Sequence, residues 1–218
     1  MSPATPISER ERSTQSERRA RSREALLESA ARGLSRYGYG NLVLEDVARE
    51  AGYTRGALYH QFKGKDDLAL AVIKWVYESW MREVGEVAGR QTGPVAELLA
   101  LARGHAVFCR RDIARVVMAL SIEFSGQDHP VGQAIERIAE TLVKRCTRLI
   151  NAGRRDGTIP AGPPAKAVAL AFRGALEGTV IELTGRAPYD EQLAVRAVAG
   201  VLGLDLDRVM TNSIRGGR

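Results

Sequence analysis

A chain of 218 residues with 44% hydrophobic and 27% charged residues can bury a substantial core, which excludes an intrinsically disordered protein. The sequence shows no secretory signal and no apolar stretch of membrane-spanning length, and it has two cysteines, so we expect a reduced, cytoplasmic protein without a membrane partner. Its formal net charge of +6 is compatible with nucleic-acid binding but does not locate a binding surface.

The first predicted helix follows a polar, proline-containing arm, residues 1–13, which we expect to be disordered. Residues 14–17 have the form of a capping box and predict a helix that runs to Tyr37 and ends at Gly38. The start of this helix is rich in arginine, at Arg18, Arg19, Arg21 and Arg23, and the arm before it adds Arg10 and Arg12. These side chains could follow DNA phosphates, although a solvated charged face is the commoner explanation.

The next stretch, residues 44–68, has the spacing of a helix-turn-helix. A first helix is predicted from Leu44 to Ala51, and Gly52 permits the left-handed turn that follows it. Ala48 is small enough for close helix approach, and Leu58 supplies the apolar contact of the second helix. Thr54 stands where the second helix needs an N-cap hydroxyl.

The start of the second helix presents residue types that suit DNA. The candidate DNA-binding residues are Thr54, Arg55, Gly56, Ala57, Tyr59, His60 and Lys65. Arginine can bind a guanine edge and an alanine methyl can contact a thymine methyl, while Thr54, Tyr59 and Lys65 can reach phosphates. The alternative is an ordinary helical hairpin with Tyr59 and Phe62 as core aromatics, and Phe62 is expected in the core in either case.

The segment TRGALYHQFKGKDDL, preceded by DVAREAGY and by Gly38-Tyr39, resembles the DNA-binding domain of TetR/AcrR-type transcriptional regulators, particularly the drug-efflux repressor branch. The resemblance covers about the first third of the chain. Where this family usually has Ser or Thr before the first helix of the motif, the chain has Leu42-Val43, and a lost cap costs about 1 kcal/mol. Asn41 is an alternative cap.

The remaining sequence predicts an all-α protein with about nine helices. A helix over residues 66–89 links the helix-turn-helix domain, residues 14–65, to a C-terminal domain, residues 90–210, with a disordered tail at 211–218. The C-terminal domain contains five predicted helices: Pro94 to Arg110, Asp112 to Ser125, Pro130 to Ala152, Pro163 to Thr184 and Tyr189 to Leu204.

The last two predicted helices are rich in alanine and glycine, which allow helix axes to approach closely. The family resemblance implies that they form a four-helix dimer interface. Its candidate residues are Val168, Phe172, Ala175, Ile181, Val198 and Val201. The alternative is packing within one protomer.

The sequence shows no nucleophile elbow, phosphate-binding loop, dinucleotide fingerprint or zinc-protease spacing, so no catalytic residue and no cofactor is assigned. His105 and Cys109 lie four residues apart and could share a metal ion with Asp112, Glu123 or His129. A helical His and Cys within an apolar stripe are more often core or pocket residues, and no metal site is assigned.

A ligand pocket is suggested by apolar and aromatic residues that the resembled fold brings together. The candidates are Trp80, His105, Phe108, Met118, Phe124 and Phe172, with Glu123 and Glu177 as polar anchors. Either glutamate could instead be exposed, paired with an arginine or at the dimer interface. The same residues would also suit a solid core.

These patterns predict a homodimeric, ligand-responsive transcriptional regulator. We expect a repressor that binds an inverted-repeat operator in double-stranded DNA and is released when a small apolar or amphipathic molecule shifts the linking helix. An activator of the same fold is one alternative, and a helical enzyme or small-molecule carrier is another.

Overall fold

The computed structural model describes residues 9–205, with side chains from residue 15 onward. Residues 1–8 of the predicted arm and the whole of the predicted tail, residues 211–218, lie outside this range. No helix in the described range is both long and apolar enough to cross a membrane.

Nine α-helices account for most of the described residues, none of which lies in a strand. The helices are α1 (Glu9–Tyr37), α2 (Leu44–Glu50), α3 (Arg55–Gln61), α4 (Lys65–Trp80), α5 (Pro94–Phe108), α6 (Val116–Glu123), α7 (Pro130–Arg155), α8 (Ala165–Leu183) and α9 (Tyr189–Val201). A π-helical turn, Met81–Gly85, and a final turn, Glu86–Gly89, extend α4, and a 3-10 turn, Asp112–Arg115, precedes α6. The predicted all-α class is confirmed.

Helix α1 begins at Glu9, before the predicted start at Thr14. Glutamate and arginine have high helix propensity, so the helix continues toward the N-terminus through residues 9–13 instead of stopping at the capping-box sequence. The prediction that the disordered arm extends to residue 13 is therefore wrong for its last five residues.

We call α1, α2 and α3 the head, and α4 to α9 the body. The head packs against α4 and α6 of the body. Buried apolar side chains form one cluster that extends from Leu26 on α1 to Leu202 after α9. Helix α1 contacts both α4 and α6, and α4 also contacts α7. In the body, α5 packs against α7 and α9, while α8 packs between α7 and α9.

A buried ion pair joins the end of α5 to the start of α9. The Arg110 guanidinium donates to both carboxylate oxygens of Asp190, at 2.8 and 2.7 Å, and to Glu191 at 3.2 Å. Asp190 is only 2% exposed, and the bidentate guanidinium holds the pKa of its carboxyl below the usual range.

Candidate functional site

The turn between α2 and α3 has the geometry that its residues predict. Gly52 adopts a φ of 78°, in the left-handed region that favours glycine. The Gly52 and Tyr53 amides close the end of α2 by donating to the carbonyls of Arg49 (3.0 Å) and Ala48 (2.8 Å). Leu58 is fully buried beneath this turn.

Hydrogen bonds at both ends fix the direction of α3. The Ala57 amide donates to Thr54 Oγ1 at 3.2 Å, so Thr54 is the N-cap that the sequence predicts. At the opposite end, Gln61 Nε2 donates to Ser22 Oγ on α1 at 2.8 Å. The side chains at the start of α3 are therefore presented by a helix held against the head.

The candidate DNA-binding residues of α3 share one surface. Thr54, Arg55, Gly56, Tyr59 and His60 are exposed, and Ala57 is half-buried. The Arg55 guanidinium forms an ion pair with Glu45 on α2 at 3.0 Å and lies 5.3 Å from the centroid of the Tyr59 ring. Because these contacts are at the surface, they orient the guanidinium while leaving it accessible to a base edge or a phosphate.

Lys65 does not extend freely from this surface. Its ammonium donates to the Gly40 carbonyl at 2.9 Å and lies 4.8 Å from the centroid of the Tyr39 ring. These contacts bind the start of α4 to the loop between α1 and α2. Lys63, two residues earlier, is exposed and is a phosphate-binding candidate that the sequence interpretation omitted.

The start of α2 has no side-chain cap. Its N-cap position is occupied by Val43, and Asn41 instead donates from Nδ2 to the Tyr37 carbonyl at 3.1 Å. The alternative that Asn41 caps α2 is therefore wrong, because its amide stabilises the end of α1. Glu45 and Asp46 in the first turn still favour the helix electrostatically.

Glu123 at the end of α6 binds the head rather than a pocket. Its carboxylate accepts from the Tyr39 amide at 2.6 Å and from the Gly40 amide at 2.7 Å. Gly38 has a φ of 75°, and a Cβ placed there would lie 2.8 Å from Glu123 Oε2, so this position needs glycine for two reasons. The prediction that Glu123 anchors a ligand is corrected: the side chain joins the body to the loop before α2.

Phe124 and His129 belong to the same head–body junction. The Phe124 ring packs edge-on against Tyr39 at 5.1 Å between centroids and stacks on His129 at 4.5 Å. His129 also lies 3.8 Å from the Asp66 carboxylate at the start of α4. Phe124 is 6% exposed and does not line the cavity described next, which corrects its assignment as a ligand-binding residue.

A cavity of about 770 Å³ lies in the body between α4, α5, α6, α7 and α8. Four of the predicted ligand residues line it: Trp80, His105, Phe108 and Met118. Phe172 does not line the cavity, and its ring is fully buried in the core. Glu177 is part of the cavity wall and pairs with Arg173 at 3.2 Å.

His105 is a neutral hydrogen-bonding group in the cavity wall. Trp80 Nε1 donates to His105 Nδ1 at 3.1 Å, and burial lowers the pKa of His105 to about 4. Because Nδ1 accepts, the ring proton is assigned to Nε2, which lies 3.6 Å from Cys109 Sγ. Burial raises the pKa of the Cys109 thiol to about 12, so this thiol is not a reactive nucleophile at neutral pH.

The conceivable metal ligands around His105 are not assembled. Glu123 and His129 lie at the head–body junction, and Asp112 pairs with Arg36 at 3.4 Å. Among the side chains of residues 15–205, no group of three or more His, Cys, Asp or Glu could hold a metal ion.

Three of the predicted dimer residues lie inside the protomer: Val168, Phe172 and Val198 are buried against its own core. Ala175 and Val201 are half-buried, and Ile181 is 59% exposed. The exposed face of α8 and α9 is formed instead by Ala167, Leu170, Ala171, Gly174, Gly178, Ile181, Leu193, Ala197 and Gly200. The error arises because both helices carry small or apolar residues on nearly every side, which obscures the buried stripe.

The geometry of the head agrees with a comparison against known families. A family model described as bacterial regulatory proteins, tetR family, matches residues 26–72, from the middle of α1 into α4. Over these residues the head matches the TetR family. The resemblance stated from the sequence is thereby confirmed.

Two curated proteins are similar to this chain over part of their length. The HTH-type transcriptional regulator BetI of Agrobacterium fabrum is 32% identical over 79 residues, which cover 36% of this chain and 38% of BetI. The A-factor receptor protein of Streptomyces griseus is 30% identical over 122 residues, or 54% of this chain and 42% of the receptor. The chain thus spans about two fifths of each relative's length.

The crystal structure of AibR in complex with isovaleryl coenzyme A and operator DNA has the same fold. It aligns with a TM-score of 0.71 and 20% identity, and the alignment covers 84% of this chain and 100% of AibR. This likeness shows the fold, and the family match is confined to residues 26–72.

Proposed function

We propose that the protein is a ligand-responsive transcriptional repressor that binds an inverted-repeat operator as a homodimer. The observation that carries this proposal is the surface at the start of α3, where a capped helix presents Arg55, Tyr59 and His60 to solvent. Such a helix can enter a major groove, with Arg55 oriented toward a base edge.

Gly56 supports a close approach of DNA to α3. Glycine costs about 1 kcal/mol relative to alanine inside a helix. A Cβ at Gly56 would come no closer than 3.9 Å to any neighbouring atom, so nothing within the described protein requires glycine here. A phosphate backbone that passes close to the helix would explain its presence.

The exposed face of α8 and α9 is the proposed dimer surface. An added Cβ at Gly174, Gly178 or Gly200 would meet no atom within 4 Å, and Leu170 and Ile181 are 49% and 59% exposed on the same face. Small residues beside exposed apolar ones allow two copies to pack closely about a two-fold axis. A two-fold protein matches a two-fold operator.

Helix α6 is the element that we propose to connect ligand binding to DNA binding. Its residues Val117, Met118 and Ile122 line the cavity, and Glu123 at its end holds the loop before α2. Helix α4, which also lines the cavity, begins at Lys65 directly after α3. A molecule that displaces α6 and α4 would therefore change the position of the head.

A small molecule that binds the cavity is the proposed effector. Between-helix cavities of about 300–1,000 Å³ are typical ligand sites, and the volume of about 770 Å³ falls in this range. AibR, which shares the fold, binds isovaleryl coenzyme A together with operator DNA. This likeness supports the presence of an effector. Its chemical class is inferred from the residues that line the cavity.

Selection of binding sites from random duplex DNA tests the function. We expect the wild-type protein to select an inverted repeat and to bind it in gel shifts that weaken steeply with salt. A reporter under a promoter that contains the selected site should lose expression when the protein is present. Increased expression would favour the activator, and the absence of any sequence-selective, salt-sensitive shift would favour an enzyme or carrier.

Two variants of the head make this test specific. Arg55→Ala should cost about 1–3 kcal/mol on the selected site and relax the preference at one base pair, because it removes a base contact. Lys63→Ala should weaken binding to selected and random DNA alike and reduce the salt slope by about one. Lys74→Ala, an exposed change on the distant α4 surface, serves as the control. Equal losses for Arg55→Ala on both DNAs would contradict the assigned contact.

A further inference from the structure

The wall that α7 contributes to the cavity changes character along the helix. Its first half contributes the apolar residues Ile135, Ile138, Ala139 and Leu142, and its second half contributes Lys144, Arg145 and Arg148. Residues 135 and 148 are about 20 Å apart along the helix axis, at about 1.5 Å per residue. The cavity therefore has an apolar end and a cationic end.

Helix α8, on the opposite wall, also contributes cationic residues at one end of the cavity and apolar residues at the other. A short connection joins α7 to α8, and the two helices pack against each other, so they run antiparallel. This arrangement brings Arg173, near the middle of α8, to the cationic end together with Arg148. Val180 and Ile181, further along α8, lie level with the apolar half of α7.

The acidic residues of the cavity do not cancel its positive charge. Glu97 pairs with Arg145 at 2.8 Å, and Glu177 pairs with Arg173 at 3.2 Å. Lys144 pairs with Glu140, which lies outside the cavity lining, at 3.0 Å. Arg148 is exposed and forms no ion pair among residues 15–205. A guanidinium without an ion-pair partner can donate two parallel hydrogen bonds to a carboxylate or a phosphate.

The apolar end of the cavity has a cation in its wall, Arg115, which pairs with Asp112 at 3.6 Å. His105 is neutral there, because burial lowers its pKa to about 4. Phe108 and Met118 adjoin it in the same wall. This end therefore favours an uncharged, apolar group.

We propose that the cavity binds an amphipathic anion, an apolar chain or ring system that carries a carboxylate or a phosphate. The apolar part lies between α5, α6 and the first half of α7, and the anionic group binds Arg148 and Arg173. The proposal rests on the effector role proposed for this cavity, and it names the chemical class of the effector.

Calorimetric titration of the full-length protein with four dodecyl compounds tests this class. The compounds are dodecanoate, dodecanoyl-CoA, dodecan-1-ol and dodecyltrimethylammonium, each below its micelle concentration. We expect at least one anion to bind more tightly than the alcohol and the cation to bind most weakly. The comparison of dodecanoate with dodecanoyl-CoA shows whether a carboxylate or a phosphate-bearing group is preferred.

The variant Arg148→Glu should weaken the preferred anion by roughly fivefold to tenfold and leave dodecan-1-ol unchanged. Arg137→Glu is the matched control, since Arg137 is an exposed arginine on α7 that does not line the cavity. Equal affinity for alcohol and anions, failure of both anions to bind, or an equal effect of the two variants would overturn the proposal. Gel shifts on the selected site separate the outcomes, because DNA binding would survive a wrong effector class and would be absent if the protein is no regulator.

Discussion

His105 shows how one side chain in the cavity wall makes the stability of the body depend on pH. Its imidazole accepts the Trp80 indole proton inside the cavity wall, and this bond is made only by the neutral ring. The folded protein keeps the ring neutral down to about pH 4, the lowered pKa, whereas the unfolded chain binds a proton near its ordinary value of 6.5. The unfolded state therefore binds more protons between these two values, and acidification favours it.

We expect the free energy of unfolding to fall by about 1–3 kcal/mol as the pH decreases from 6.5 to 4. His105→Gln should flatten this dependence, because a glutamine carbonyl can accept from Trp80 and does not titrate. Urea unfolding at several pH values measures the effect, with His60→Gln, an exposed change on α3, as the control. An equal slope in wild type and His105→Gln would show that other groups dominate.

Individual residues also show which structural roles can be predicted from the sequence and which cannot. The roles of Gly52, Thr54 and Leu58 follow from neighbours within six residues, so their spacing was enough to predict the turn, the cap and the buried contact. The bonds of Glu123 to the Tyr39 and Gly40 amides join residues more than 80 positions apart. No local pattern encodes such a partner, and the pocket role assigned to Glu123 failed for that reason.

Helix α6 is short, yet it touches both the cavity and the head. If Glu123 connects the cavity to the head, removal of its carboxylate should uncouple ligand binding in the cavity from the weakening of operator binding. Glu123→Ala should retain the calorimetric affinity for a cavity-binding compound but reduce the factor by which that compound weakens operator binding. Allosteric coupling typically amounts to about 1–3 kcal/mol, and two carboxylate–amide hydrogen bonds are strong enough to transmit it.

The control for Glu123→Ala is Gln127→Ala, which removes a bond to the Glu123 carbonyl in the same turn but no bond to the head. Operator affinity is measured with and without the compound for the wild type and for both variants. Undiminished coupling in Glu123→Ala would assign transmission to α4 alone, the route that the sequence interpretation favoured.

At the element scale, prediction succeeded for the existence of helices and failed for the orientation of α8. Helix α7 has apolar and polar residues on separate faces, and its predicted span from Pro130 to Ala152 is close to the observed Pro130–Arg155. Helix α8 has apolar or small residues on both faces, so the period of the sequence does not determine which face is buried. Phe172 lies inside and Ile181 outside for reasons that only the packing of neighbouring helices supplies.

At the scale of the whole molecule, the proposed dimer should dissociate when charge is placed on the exposed face of α8. Gly174→Arg introduces a large cation where an added Cβ meets no atom of the same protomer, so the fold should be retained. Burial of this charge between two copies would cost several kcal/mol. Light scattering should show dimers for the wild type and monomers for Gly174→Arg at micromolar concentration, with equal helical circular dichroism.

Val198→Asp provides the contrasting control for the dimer, since Val198 is fully buried within the protomer. This variant should lose helical structure and thermal stability instead of forming a folded monomer. A folded, monomeric Val198→Asp, or a Gly174→Arg protein that remains dimeric, would place the interface elsewhere.

The hydrogen bond between Trp80 and His105 also makes the fluorescence of Trp80 sensitive to changes in the cavity. Trp80 lies in the cavity wall, while Trp75, the only other tryptophan of the chain, lies in a separate groove between α1 and α4. A molecule that enters the cavity would alter the polarity and hydrogen bonding around Trp80, whereas a shift of α4 against the head would alter the surroundings of Trp75. Emission from the unlabelled protein can therefore follow both the occupancy of the cavity and the movement of the head.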